Sequence, residues 1–409
     1  MSHSLNLKID QNSGEKEKLN YQQSKWQLAP SINGGGNGYM NFRRSTDQNN
    51  QISSGNAYSL NYGLSASLVL FDGLSSFNRI SAMKFNSLAF NKITEQQENT
   101  LYLDIVKLFA QTIFLKQQVT IANEQLQLAK KELEKIETKV SLGLLGNSSI
   151  DEIKATVSGN LLALSKQENS FKLSLLNLMQ LINLPDTTNF ELTGSEFELT
   201  IPSEKEYTNE KVYKQACENL PDLKEKEYRL EYYKKILSAN QGQKLPSITI
   251  DGSYGSSFYS TDTLSNGLKT PLNNQFNKYL NPSVRLNLNV PIFNKRSADF
   301  QVRKSKIDIE NSLFELEQQK KEVYNEIQNA IQLFNSNYLE YVNATDNLKF
   351  VEKSFEIYRE KYSMGLINST DFITAQNQLL QSKTNVLASK YNWIIQEKII
   401  RLYSGFKEF

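Results

Sequence analysis

Apolar and polar residues alternate strictly in two stretches of the chain. From Tyr58 the even positions read Tyr58, Leu60, Tyr62, Leu64, Ala66, Leu68 and Leu70, and the odd ones Ser59, Asn61, Gly63, Ser65 and Ser67. This period of two predicts a strand with one apolar and one polar face. The second stretch sets Val284, Leu286, Leu288, Val290 and Ile292 against Ser283, Arg285, Asn287 and Asn289, with the same parity. Each is preceded by a strand that opens after a proline, at Pro30-Ser31-Ile32 and at Pro246-Ser247-Ile248. The later one continues through Ile250, Tyr254 and Phe258 on one face and Thr249, Asp251, Ser253 and Ser257 on the other. Residues 262–281, between the last two strands, read as a long polar loop.

After each strand pair the period changes to that of a helix. Proline is absent from about Ser75 to Ser141 and from about Ser297 to Ser363, and at 1.5 Å per residue each run makes a helix on the order of 100 Å long. Ile105, Leu108, Leu115, Val119, Ala122, Leu126, Ala129, Leu133, Ile136 and Val140 form a heptad seam on the first. Ile327, Ala330, Phe334, Tyr341, Ala344, Leu348, Val351, Phe355, Tyr358 and Tyr362 do so on the second, as in coiled coils. The chain turns at Gly143 and at Gly365 and returns along shorter arms, Ser148 to Ile182 and Thr370 to Tyr403.

The two halves are copies of one unit. Lys139-Val140-Ser141-Leu142-Gly143-Leu144 and Lys361-Tyr362-Ser363-Met364-Gly365-Leu366 lie 222 residues apart, as do Leu70-Phe71-Asp72-Gly73 and Ile292-Phe293-Asn294-Lys295. The prolines are 216 apart, an even number that preserves strand facing, and the six-residue difference from 222 falls in the outer loop.

This order divides the chain into segments. They are a partial helix at 1–29, a strand hairpin at 30–72, a helical hairpin at 73–183 with its tip near 143, and a strand-containing belt at 184–208. An ascending helix follows at 209–243, broken around Pro221, then a second strand hairpin at 244–293 and a second helical hairpin at 294–404 with its tip near 365. The belt includes Phe190-Glu191-Leu192 and Phe197-Glu198-Leu199-Thr200.

Alternation alone fits a soluble sandwich as well as a membrane barrel. Four strands cannot close around a lumen, however, and their open edges need partners, so several protomers closing one barrel is the natural solution. The predicted fold is thus an α+β membrane protein with a shared transmembrane β-barrel and two long coiled-coil helical hairpins. No apolar run approaches the roughly 18 residues of a spanning helix, and β-barrel strands escape that test. With 39% hydrophobic residues and a mean hydropathy of −0.50, several thick cores are not expected.

Chemistry is sparse. Lys and Arg total 46 against 44 Asp and Glu, without a basic stripe interleaved with aromatics, so no nucleic-acid partner is expected. Cys217 is the single cysteine and His3 the single histidine, which leaves no internal disulfide, no histidine-based triad and no Cys/His metal site. Gly34-Gly35-Gly36-Asn37-Gly38 lacks the Gly-Lys-Ser/Thr and following helix of a phosphate loop. The chain reads as a non-enzyme without cofactor. Met1-Ser2-His3 begins no signal peptide, and the first helix, from about Gln11 to Leu28, is shorter than its counterpart.

The duplicated strand-opening prolines, the Phe71-Asp72-Gly73 and Phe293-Asn294 junctions and the paired Gly-Leu turns resemble the TolC-like outer-membrane efflux channel family over nearly the whole chain. The resemblance implies a homotrimer in outer-membrane lipid with a 12-stranded barrel continued by a long α-helical coiled-coil barrel, a tunnel into the periplasm. It would serve as the passive exit duct of a tripartite efflux pump or type I secretion system, through a periplasmic adaptor and an inner-membrane pump. It implies docking of that adaptor at Gly143, Leu144, Gly365 and Leu366, and a periplasmic gate at Asp371. A second acidic position of the family falls on Thr374, and Asp151 and Glu152 are nearest in the first half. Helix-start roles for Ser148 with Asp151 and Ser369 with Asp371 remain open beside gating. Parity alone makes Asp251, Arg285, Asn287 and Asn289 pore-lining candidates. The rival classes are a periplasmic coiled-coil adaptor, which has one hairpin rather than a whole-chain duplication, and a soluble coiled-coil scaffold.

Overall fold

A computed structural model describes residues 4–46, 52–184, 207–262 and 268–406. His3, most of the belt with Phe190-Glu191-Leu192 and Phe197-Glu198-Leu199-Thr200, and positions 263–267 of the outer loop lie outside the described residues. The elements run α1 (Leu5–Trp26), β1 (Ser31–Thr46), β2 (Ile52–Phe71), α2 (Ser75–Ser141), α3 (Ser148–Leu181), α4 (Asn209–Asn219) and α5 (Pro221–Gly242). They continue with β3 (Ser247–Tyr259), α6 (Leu272–Lys278), β4 (Asn281–Asn289), α7 (Ser297–Ser363) and α8 (Ser369–Tyr403). Two compact units result.

One unit, Gly14–Phe90 with Lys226–Glu315, holds the sheet. Its strands are antiparallel in the order β1-β2-β3-β4. Register carries one parity across all four strands as far as a bulge between Val69 and Phe71, with Gly34 opposite Leu64, Leu64 opposite Tyr254 and Tyr254 opposite Pro282. The even residues therefore make one mainly apolar face, and away from α6 it is bare: Leu64 is 57% exposed, Val284 78% and Leu286 66%. The glycine-rich stretch is the body of β1.

Two expectations change here. Val290 and Ile292 fall beyond β4, which stops at Asn289, just ahead of Pro291, a residue without the N–H that a ladder needs. The outer loop also contains α6. The Gln275 side-chain amide pairs with Tyr259 as a strand would, accepting from its N–H at 2.8 Å and donating to its C=O at 3.1 Å. Gln275 also donates to the Thr270 carbonyl at 2.9 Å, and Phe276 stacks on Tyr62 with ring centres 6.0 Å apart.

The other unit comprises Met1–Ser13, Asn91–Glu225 and Leu316–Phe409. α1 opens at Leu5 rather than near Gln11, with the Lys8 N–H bonded to the Ser4 carbonyl at 3.2 Å. Within the first hairpin Thr112 meets Ser174 at 2.8 Å and Asn160 reaches the Gln125 carbonyl at 3.4 Å. Within the second, Asn347 donates to Ser382 at 3.2 Å. Ala122, Leu126, Ala129 and Ile136 of the first seam are buried, as are Ile327, Ala330, Phe334 and Phe355 of the second. α4 and α5 join this core where Val212, Ala216, Leu220 and Leu223 pack with Val323, Ile327 and Trp393. Asn209–Asn219 and Pro221–Gly242 are two helices separated by Leu220 in an extended conformation, divided there because proline suits a first helical turn but not an interior.

Candidate functional site: helical tips and polar sheet face

The two tips share one backbone design. Gly143 and Gly365 both have φ +74°, a left-handed value that an L side chain adopts only at a cost. At each, the following leucine N–H reaches back five residues at 2.9 Å, Leu144 to the Lys139 carbonyl and Leu366 to the Lys361 carbonyl. This bond pattern ends a helix while satisfying its last carbonyls. The result holds Leu142, Leu144, Met364 and Leu366 each about two-thirds exposed, at 68%, 69%, 70% and 68%.

Past the second turn, Asn368 rather than Ser369 caps α8, its side-chain oxygen accepting from the Asp371 N–H at 2.8 Å. Ser369 instead donates to the Glu152 carboxylate. Lys139 donates to the Ser363 carbonyl at 2.9 Å, so two polar links tie the first tip to the second. Asp151 and Asp371 are exposed in the first turns of α3 and α8. The Thr374 hydroxyl is spent on the Thr370 carbonyl at 2.8 Å. Phe372 stacks on Tyr362 at 4.5 Å, and burial, then Glu132 and Glu152, push the Tyr362 phenol up from its ordinary pKa.

A row of residues that the apolar pattern does not reveal joins the hairpins higher up. Gln118, Gln125, Glu132 and Lys139 recur every seven residues along α2, and the first three are buried. Gln118 donates to Thr384 at 3.3 Å, and Gln376 donates to Gln125 at 2.7 Å. The signal is a polar heptad beside the apolar one, legible only to a search for polar repeats.

On the sheet, Asp251, Arg285, Asn287 and Asn289 share the polar face, with Asp251 directly opposite Arg285. Asn287 donates to the Asp251 carboxylate and to the Thr249 hydroxyl, the latter at 3.4 Å. Ser253 with Ser283 and Ser257 with Asn61 extend the polar lattice at 2.8 and 2.7 Å.

No described helix is long and apolar enough to cross a membrane. The family model "Outer membrane efflux protein" matches residues 14–184 and 212–405, and the chain belongs to that family. It is 23% identical over 361 residues to the toxin and drug export protein A of Aggregatibacter actinomycetemcomitans, covering 87% of this chain and 75% of that one. The fold matches crystal structures of CusC with a TM-score of 0.83 at 16% identity, over 99% of this chain and 90% of that one. It matches the Campylobacter jejuni CmeC outer membrane channel with a TM-score of 0.78 at 17% identity, over 98% and 82%. The protein is thus a TolC-like outer-membrane efflux protein with its helical part in the periplasm, of a family and fold that form passive channels.

Proposed function

We propose that the chain assembles as a homotrimer to form the exit duct of a tripartite efflux pump or type I secretion system, opened and closed at the tips of its periplasmic helices. The observation that carries this reading is the four-stranded sheet whose apolar face is largely bare and whose outer strands, β1 and β4, each leave one edge without a partner strand among the described residues. Both needs are met when copies join edge to edge into a barrel with lipid outside. Asp251, Arg285, Asn287 and Asn289 then line the pore.

At the helical tips, the Glu152–Ser369 and Lys139–Ser363 bonds hold the two hairpins together and favour a closed entrance. Asp371 faces the pore there and attracts cations, with Asp151 nearby and Thr374 contributing no charge. The exposed Leu144 and Leu366, set by Gly143 and Gly365, dock a periplasmic adaptor and through it an inner-membrane pump. Energy comes from those partners. The test is the mass of the detergent-solubilised protein by light scattering, followed by planar-bilayer conductance. A trimer that aggregates without detergent and conducts supports the reading, whereas a detergent-independent monomer or dimer overturns it.

A further inference from the structure

The two strand-to-helix junctions are built on one backbone but carry different chemistry. At each, two consecutive residues are left-handed: Gly73 and Leu74 at φ +68° and +64°, and Lys295 and Arg296 at φ +55° and +59°. Glycine suits the first junction twice over, since a Cβ on Gly73 would lie 2.2 Å from the Gly242 carbonyl oxygen. At the second, two long cationic residues hold a conformation that L residues avoid. They also stand directly before α7, whose N-terminal end favours negative charge. Two local preferences are overridden, and both yield positive charge at one place.

That charge is extended and open. From Val290 to Ile307 the cations Lys295, Arg296, Arg303, Lys304 and Lys306 are all exposed, and Asp299 is the only carboxylate in the stretch. Asp299 is already engaged by Lys244 and, at 3.8 Å, by Arg296. The matching stretch of the first repeat has only Arg79 and Lys84 against Asp72. Among the cations stand bare apolar groups: Phe293 is 78% exposed and Phe300 53%, and the Arg303 guanidinium lies 6.0 Å from the Phe300 ring centre. Cations and aromatic rings side by side, at the end of an apolar sheet face, match the level where acyl chains give way to headgroups.

We infer that the junction after β4 binds the phosphate groups of phospholipids in the periplasmic leaflet of the outer membrane, with Lys295 and Arg296 as the phosphate contacts and Phe293 and Phe300 at the acyl boundary. This rests on reading the sheet as part of a membrane barrel. The guanidinium fork of Arg296 suits two phosphate oxygens at once. The first junction, with Gly73 and Leu74, has no such site.

The test is native mass spectrometry of the detergent-solubilised protein titrated with phosphatidylglycerol or with phosphatidylcholine. The key variant is Lys295→Gly/Arg296→Leu, which installs the first junction's own pair on a backbone that already accepts it. Lys295→Gln/Arg296→Gln removes charge while keeping side-chain length. The wild type should retain phosphatidylglycerol preferentially, and both variants should lose that preference by roughly tenfold, with oligomeric mass and conductance in phosphatidylcholine bilayers unchanged. Equal retention by wild type and variants overturns the proposal. So does displacement of the lipid by inorganic phosphate at equal phosphate concentration, which would mark a simple anion site. Failure of the channel reading registers separately, as loss of wild-type trimer mass and conductance.

Discussion

Gln376 donates a hydrogen bond to Gln125 across 2.7 Å, and both side chains are buried where α8 of the second hairpin meets α2 of the first. A pair of this kind holds two helices in one register, because sliding either leaves a buried amide without its partner. Gln125→Leu should destabilise the helical unit by about 1–3 kcal/mol, while Gln125→Leu/Gln376→Leu should recover much of that loss. Denaturant midpoints for the four proteins of the cycle measure it. Additive losses would show that the pair is not coupled.

The tip links carry a conductance prediction. Glu152→Ala/Lys139→Ala removes both partners offered by the first hairpin and should raise the fraction of time a reconstituted channel stays open. Asp371→Asn should instead weaken block by divalent cations, leaving oligomeric mass unchanged. Identical single-channel records for Asp371→Asn and wild type would remove Asp371 from the gate.

Asp222 provides a pH handle. Burial raises its carboxyl to about 6, with Glu326 and Glu225 adding to the rise. The folded state keeps this proton after the unfolded chain, with a value near 3.8, has released it. Its contribution is therefore fully present below pH 3.8 and is lost as pH rises through 6. Asp222→Asn should flatten that dependence and leave the protein more stable at neutral pH by about 1 kcal/mol, allowing for solvent screening of a partly exposed group. Urea midpoints at pH 4.5 and pH 7.5 decide it. A wild-type midpoint that climbs between the two values because of Asp222 would reverse the sign and sink the assignment.

Leu286 lies on the apolar face of β4 and is 66% exposed in the protomer. Leu286→Arg should cost about 2–4 kcal/mol if the residue sits near the bilayer midplane and lower the yield of assembled protein in the outer membrane fraction. Asn287→Arg, one residue on and facing the other way, should be tolerated and shift ion selectivity.

Much of this fold was legible in the sequence because its elements are long and strictly periodic. Tyr58 to Leu70 advertises two faces, and the 222-residue offset fixes the tips and junctions together. What escaped were features encoded by single polar side chains. Gln275 makes a loop residue behave as a strand, and nothing in Leu272–Lys278 signals that Tyr259 is its partner. Asn368, and not the adjacent Ser369, caps α8, a choice between two competent residues that depends on Ser369 being drawn to Glu152 in the other hairpin. Pro291 was visible, yet the apolar parity of Val290 and Ile292 suggested a longer strand than a missing N–H permits. The row of Gln118, Gln125 and Glu132 was hidden by the assumption that heptad seams are apolar.

The Gln275 amide shapes the edge of the sheet. β3 outruns β4 by the stretch from Ser256 to Tyr259, and an uncovered step of that kind is a template on which a stray chain can add. By occupying the N–H and C=O of Tyr259, one side chain caps the end of the step, and β4 presents an edge of nine residues. In the proposed trimer, the strand of a neighbouring copy that extends the sheet would register along Asn281 to Asn289.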